Sequence, residues 1–281
     1  MRKTRLAALF AVLLLALASV AVAGCGGGGD STSSGGGGGG ETSAEGGGGE
    51  PLTVGSDIPY PPFEQGKAGN YTGFDIELIE AIGEKIGRKP EVQDTSFETI
   101  FRDVQQGKFD AAISAATITE EREKAVDFSN PYYLSEQALL VTEGSSFKEL
   151  KELEGKTVGV QQGTTGQELA KEEIGGAEIR PYPEGPDAVN ALKSGTVEAV
   201  VIDAPVAENA VEKSGGVEIA EKIPTEEDYG IAVAQGETEL LEEINKGLEE
   251  VEKDGTYTKI FEKWFHAPPP KAVFSATHEA E

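Results

Sequence analysis

The segments DVQQGKFDAAISA (103–115) and NALKSGTVEAVVI (190–202) share one pattern: a helix end, a Gly, two residues, an acid, an Ala, then an apolar strand. Two accounts of this echo stand side by side. Any joint that passes from helix through Gly to strand has this grammar. The alternative is a chain that builds two similar α/β lobes. The flanking sequence extends the alternation. Upstream, 52–54 reads as a strand and 74–86 as an amphipathic helix, with Ile76, Ile79, Ile82 and Ile86 at helical spacing and Gly87 as its stop. Residues 91–95 read as a strand, 97–106 as a helix closed by Gly107, and 109–116 as an apolar strand. Downstream, strands at 157–161, 179–182 and 197–203 alternate with helices at 165–173 and 186–193. Alternation of this kind predicts mostly parallel sheets covered on both faces. In open α/β sheets ligands sit beyond the carboxyl ends of the strands, so two facing lobes would place both sets of ends in one cleft. A strand at 229–234 and helices at 239–253 and 256–265 are expected to return to the first lobe, so that two strands cross between lobes.

The ends of the chain have a different composition. Of 281 residues, 37 are Gly, and 15 of these lie between Gly24 and Gly49. Arg2, Lys3 and Arg5 precede an apolar run at 6–23 interrupted only by Ser19, which is the layout of a secretory signal. Residues 26–50 hold Ala44 as their sole apolar side chain, too little to offset chain entropy, and read as a flexible tether. The segment from 267 begins with a Pro run and reads as a flexible tail. The formal net charge is −26, and so acidic a body repels phosphate backbones, which argues against a nucleic-acid partner. A single Cys, Cys25, excludes an intramolecular disulfide and a Cys-cluster metal site. The two His, His266 and His278, have no ligand-like spacing, and nothing in the pattern calls for a metal or cofactor.

Several motifs, taken in order, resemble the extracytoplasmic solute-binding proteins of polar amino-acid ABC transporters (bacterial solute-binding protein family 3). They are VGSDIPYPPFE (54–64), GNYTGFDIELIEAIGEKIG (69–87), FDAAISAATITEEREKAVDFSNPYY (109–133), GKTVGVQQGTTGQELA (155–170), VEAVVID (197–203) and YTKIFEKWF (257–265). The resemblance implies the two-lobed periplasmic-binding-protein fold, α/β in class. Each lobe would be a sheet flanked by helices, and a two-strand hinge would close on one free amino acid. The expected divisions are a signal at 1–24 and a lipidated Cys with its tether at 25–51. Residues 52–138 and 232–266 would form the first lobe, 139–231 the second, and 267–281 the tail. Val22-Ala23-Gly24-Cys25 resembles the bacterial lipobox, which implies cleavage before Cys25 and a lipid anchor on the outer side of the cell membrane. The expected partners are a free amino acid, an ABC transporter permease and the membrane, with the protein a monomer.

The residues of interest also have bland local explanations. Arg122 follows Thr117 and Glu120, which have capping-box spacing; by itself it reads as an exposed Arg in a first helical turn, offset by Glu121 and Glu123. Its other role, implied by the resemblance, is a fork that grips a ligand carboxylate. Gly163, Thr164 and Thr165 join a strand to a helix, which is either an ordinary turn with a Thr cap or a set of donors for the same carboxylate. Asp203 ends an apolar strand, as a cap for the next helix or as a partner for a cation. The resemblance gives it the ligand α-ammonium, with Ser114, Ala115 and Thr117 completing the α-group contacts. Asp57 is a routine turn former, and Tyr60 and Phe97 are routine core aromatics. By resemblance all three face the ligand side chain, the rings sandwiching its body and Asp57 holding its polar end. That combination favours a basic or amide side chain. Gln161 matches a variable specificity position.

Two other functions share this sequence. The same fold includes secreted cyclohexadienyl dehydratases, which need a general acid or base in the cleft. No His falls there, and Glu184 and Asp187 are the nearest candidates. A receptor reporting its ligand to a signalling partner is the other.

Overall fold

The computed structural model describes residues 49–270. The signal, Cys25, most of the tether and residues 271–281 lie outside the described residues. In chain order the strands are β1 (Leu52–Ser56), β2 (Gln65–Lys67), β3 (Asn70–Thr72), β4 (Pro90–Asp94), β5 (Ala111–Ala112), β6 (Val126–Phe128), β7 (Tyr133–Thr142), β8 (Thr157–Gln161), β9 (Glu178–Tyr182), β10 (Ala199–Asp203), β11 (Val217–Tyr229) and β12 (Ala232–Ala234). The α-helices are α1 (Phe74–Ile86), α2 (Ile100–Gln105), α3 (Thr165–Glu173), α4 (Gly185–Lys193), α5 (Ala204–Ser214), α6 (Thr238–Lys253) and α7 (Thr256–Phe265).

The strands form two five-stranded sheets, ordered β4-β1-β5-β12-β6 and β11-β7-β10-β8-β9, beside the small hairpin β2-β3. Each five-stranded sheet is mixed. In the first, β4, β1 and β5 are parallel and β12 runs against its neighbours; in the second, β9, β8 and β10 are parallel and β7 runs antiparallel to β10 and β11. The side-chain period of two shows that both faces are covered. Ala111 and Ile113 enter one core while Ala112 enters another, and Ala199 and Val201 part from Val200 and Ile202 in the same way. The chain leaves the first sheet after β6 to start β7, and returns after β11 through Gly230 and Ile231 to β12. The two strands nearest the crossings are paired with each other, Glu227 opposite Ser135 and Tyr229 opposite Tyr133. This is the two-lobed α/β architecture with a two-strand connection.

An aromatic cluster packs where the crossings meet the C-terminal helix. Phe63 lies 5.1 Å from Tyr133, Tyr133 stacks on Tyr229 at 5.5 Å, and Phe265 lies 5.1 Å from Phe74 and 4.7 Å from Phe261. The Tyr257 hydroxyl donates to the Tyr132 carbonyl at 2.6 Å. The motif YTKIFEKWF thus anchors the last helix against the base of the crossing strands.

Several expected elements differ. The strand expected over 229–234 is divided, Tyr229 closing β11 and the rest pairing only at Ala232–Ala234 as β12. The strand expected over 109–116 pairs only at Ala111–Ala112, because the chain then turns inward. The Ser114 hydroxyl donates to Glu64 Oε1 at 2.8 Å, the Ala115 amide donates to Asp75 Oδ2 at 2.7 Å, and Ala115 takes a left-handed φ of 46°. The helix expected from 97 starts at Ile100, the Phe97 amide being taken by Asp57 Oδ1 at 3.2 Å. Arg122 lies in a single 3₁₀ turn, Arg122–Lys124, not in an α-helix. The capping box is not made: Thr119 Oγ1 accepts from the Arg122 amide at 3.2 Å, and the Thr117 hydroxyl is used elsewhere.

Candidate functional site

The first sheet delivers its share of the site from the ends of β1 and β5. The carbonyl ends of these parallel strands lead into Asp57 and Tyr60, and into Ser114, Ala115 and Thr117. Asp57 is 1% exposed. Its backbone amide donates to Ser114 Oγ at 3.0 Å, and its carboxylate accepts from the Phe97 amide and from the Gln161 side-chain amide at 2.5 Å. It is a buried acceptor that spans the two lobes, well removed from its simple role as a turn former. Burial, and then the charge of Glu184, push its carboxyl up to about 7.

The second lobe contributes the ends of β8 and β10. Thr164 caps α3, its Oγ1 accepting from the Gln167 amide at 3.2 Å. The Thr165 hydroxyl donates to Glu227 at 3.0 Å. Asp203 precedes α5 but makes no side-chain cap to it. Its carboxylate instead accepts from the Tyr60 hydroxyl at 2.7 Å and from the Gln137 amide. Burial, followed by the neighbouring charge of Glu227, pushes Asp203 up to about 7.

Arg122 crosses between the lobes. Nη1 donates to the Thr117 carbonyl at 2.6 Å and Nη2 to the Gly163 carbonyl at 3.3 Å. The guanidinium carbon lies 5.1 Å from the centre of the Phe97 ring and 4.8 Å from that of Phe101. Burial weighs against its charge, while Glu227, Glu168 and Asp203 support it. Arg122 forms no ion pair among the described residues, and neither do Asp57 and Asp203.

Eleven of the twelve residues singled out from the sequence line one narrow cavity: Asp57, Tyr60, Phe97, Ser114, Ala115, Thr117, Arg122, Gln161, Thr164, Thr165 and Asp203. Gly163 lies just outside, its carbonyl held by Arg122 and its amide donating to Gln167 Oε1 at 3.0 Å. The side chains leave only about 10 Å³ of free space, too little for an organic ligand, so a ligand enters only when the walls part. A larger depression of about 630 Å³ lies along β7, β11 and α5, but its one lysine, Lys222, is already paired with Glu208 and Glu136.

Sequence reasoning missed several participants. Glu227 and Gln137 form the polar floor behind the cavity. Glu64 and Asp75 fix Ser114 and Ala115 from the other side. Gly185 lets the start of α4 approach Tyr60, since a Cβ there would fall 2.6 Å from the ring. Glu64 and Asp75 stand inside the quoted motifs, so an acid within an apolar stretch was the available signal. No local pattern marks Glu227 or Gln137.

With this geometry in view, the chain's relatives are informative. It is 31% identical over 224 residues to the L-cystine-binding protein TcyJ of Escherichia coli K12, covering 78% of this chain and 84% of the relative. An ancestral arginine-binding protein, solved with arginine and with glutamine, is 45% identical; the arginine complex superimposes with a TM-score of 0.73 over 76% of this chain and 97% of its own. An ancestral amino-acid-binding protein, AncCDT-1, a precursor of cyclohexadienyl dehydratase, is 40% identical with a TM-score of 0.71, covering 76% of this chain and 95% of its own. The match of residues 52–267 to the family model places the chain in the bacterial extracellular solute-binding proteins, family 3.

Proposed function

We propose that this protein binds a free polar L-amino acid, with a basic or amide side chain favoured, and delivers it to the permease of an ABC transporter. One observation carries the reading: a guanidinium and two buried carboxylates surround a single cavity, none of them in an ion pair among the described residues. The complement to that set is one anion and up to two cations. An amino acid supplies the anion as its carboxylate, for Arg122 with the Thr164 and Thr165 donors, and one cation as its ammonium, for Asp203. Its side chain then passes between Tyr60 and Phe97, with Ser114, Ala115 and Thr117 about the α-carbon. Asp57 and Gln161 receive the far end. An ionised Asp57 selects a cation, and a protonated one donates to an amide oxygen. Buried charges left without counter-charges are costly, so a ligand with these charges stabilises the closed cavity. Opening follows from a hinge in the paired ends of β7 and β11.

In this account residues 52–138 and 232–266 make the first lobe and 139–231 the second. The protein is a monomer, tethered outside the cell membrane through lipid on Cys25 after removal of residues 1–24. Arg122→Ala is expected to weaken amino-acid binding by ~2–5 kcal/mol, as when a buried charge pair loses one partner. Isothermal titration calorimetry on wild type and variant checks this, and equal affinities would remove Arg122 from the site.

A dehydratase reading draws on the similarity to the precursor AncCDT-1 and on two cavity carboxyls raised to about 7, which is the range of a general acid. The binding reading is preferred, because TcyJ and the ancestral arginine-binding protein are named as binding proteins. Turnover of prephenate or arogenate, followed by absorbance, separates the two.

A further inference from the structure

Behind the cavity lies a carboxylate that does not line it. Glu227 sits near the end of β11, 5% exposed, opposite Ser135 of β7. Its two oxygens accept four hydrogen bonds: from the hydroxyls of Thr117 at 2.7 Å, Thr165 at 3.0 Å and Thr225 at 3.0 Å, and from the Gln137 amide at 2.9 Å. Four donors on about four lone-pair sites is the pattern of an ionised carboxylate. Thr117 follows β5 of the first sheet, and Thr165 opens α3 beside the second. One buried group therefore ties a hydroxyl of each lobe to a crossing strand. The second link is electrostatic. The Gln137 amide has two hydrogens and gives one to Glu227 and the other to Asp203 Oδ1, so two carboxylates share one amide. Glu227 forms no ion pair among the described residues.

We propose that Glu227 is a positioning residue for the α-ammonium half of the amino-acid site. It holds Thr117 and Thr165 in the closed arrangement, and it places a second negative charge behind Asp203 that the ligand ammonium feels without touching. This rests on the amino-acid reading of the cavity. The arrangement accounts for what a single Asp203 would not: why the hydroxyls from the two lobes converge on an acid, and why the amide between them serves both acids.

The titratable and charged groups acting with Glu227 are Asp203 on β10, Tyr60 after β1, Tyr229 on its own strand, and Arg122 from the first lobe. Of these, Asp203 carries the pH signature for L-glutamine, whose amide does not need an ionised Asp57; for L-arginine, Asp57 titrates in the same range. Burial and then Glu227 raise the pKa of Asp203, and an ammonium ligand needs it ionised, so affinity falls as pH drops through that pKa. Removing the Glu227 charge lets Asp203 ionise at lower pH. The acid-side loss of affinity then moves to lower pH, even as the affinity at high pH drops.

Calorimetric titration of L-arginine and L-glutamine into wild type, Glu227→Gln and Glu227→Asp, from pH 5 to 8, tests this. Glu227→Gln is expected to bind about tenfold more weakly at pH 8, with its acid-side decline for L-glutamine displaced to lower pH. Glu227→Asp keeps the charge and is expected to keep the wild-type pH profile. Wild-type affinity in Glu227→Gln, or a uniform loss with an unmoved profile, overturns the proposal while wild-type binding leaves the amino-acid reading intact. Failure of wild type to bind any amino acid removes that reading and this proposal together. Should Glu227→Gln not fold, Thr117→Val keeps the charge and removes the hydroxyl bond that runs from the first lobe to Glu227. Several-fold weaker binding with an unmoved profile then supports the role, and unchanged binding overturns it.

Discussion

Glu64 and Asp75 show how much of this site is set by acids that do not line it. Both are fully buried, and each leaves one oxygen, Glu64 Oε2 and Asp75 Oδ1, without a hydrogen-bond partner. Burial pushes both carboxyls up, Asp75 to about 7, and the charge of Asp75 adds to the rise at Glu64. The folded state therefore holds more protons than the unfolded chain between about pH 4 and 7, and the pair's contribution to stability falls as pH rises through that window. Glu64→Gln, which still accepts from Ser114, is expected to melt closer to wild type at pH 5 and higher than wild type at pH 8. Melting curves at the two pH values check this, and an equal difference at both would show that the pair does not titrate. At this scale the sequence marked Asp203, which closes an apolar strand, whereas Asp57 looked like a routine turn former and entered the site only through the family resemblance. The sequence was silent on Glu227, which lies in the charge-rich run TEEDY (225–229), where one acid looks like the next. Only the third dimension separates buried Glu227 from half-buried Asp228 and exposed Glu226.

Among elements, α1 is the most tightly specified. It runs from Phe74 to Ile86 as its apolar spacing predicts, and ends on Gly87 in the left-handed conformation. Gly83 lies where the helix meets the entry to β4. A Cβ there would fall 2.5 Å from the Pro90 ring and 2.6 Å from the Arg88 carbonyl, a backbone atom that cannot swing away. Gly83→Ala, although favourable for an isolated helix, is expected to destabilise the protein by about 1–3 kcal/mol through overpacking. Urea unfolding measures this, and a stabilised variant would show that β4 yields. Helix α3, helix α7 and strand β8 have the bounds that their caps and apolar spacing predict. The crossing strands were less legible. Strand β11 (VEIAEKIPTEEDY) is an edge strand that alternates exposed and half-buried residues, carries Pro224 and has register shifts against β7. It lacks the continuous apolar run by which β10 is recognised.

For the whole molecule, the arrangement is two mixed sheets joined by paired strands, with a cavity whose walls come from both. Among the described residues the cavity's charged groups form no ion pairs: the Arg122 guanidinium donates to the Thr117 and Gly163 carbonyls, and Asp57 and Asp203 are buried with their pKa values raised. A ligand carrying the complementary charges binds only the folded, closed form and so raises its apparent stability. The central claim is that this ligand is an amino acid with a basic or amide side chain. A thermal-shift series of the protein against each of the twenty amino acids is the most direct test. The account predicts the largest rise in melting temperature with a basic or amide amino acid; a largest rise with aspartate or glutamate, or none with any of the twenty, would contradict it.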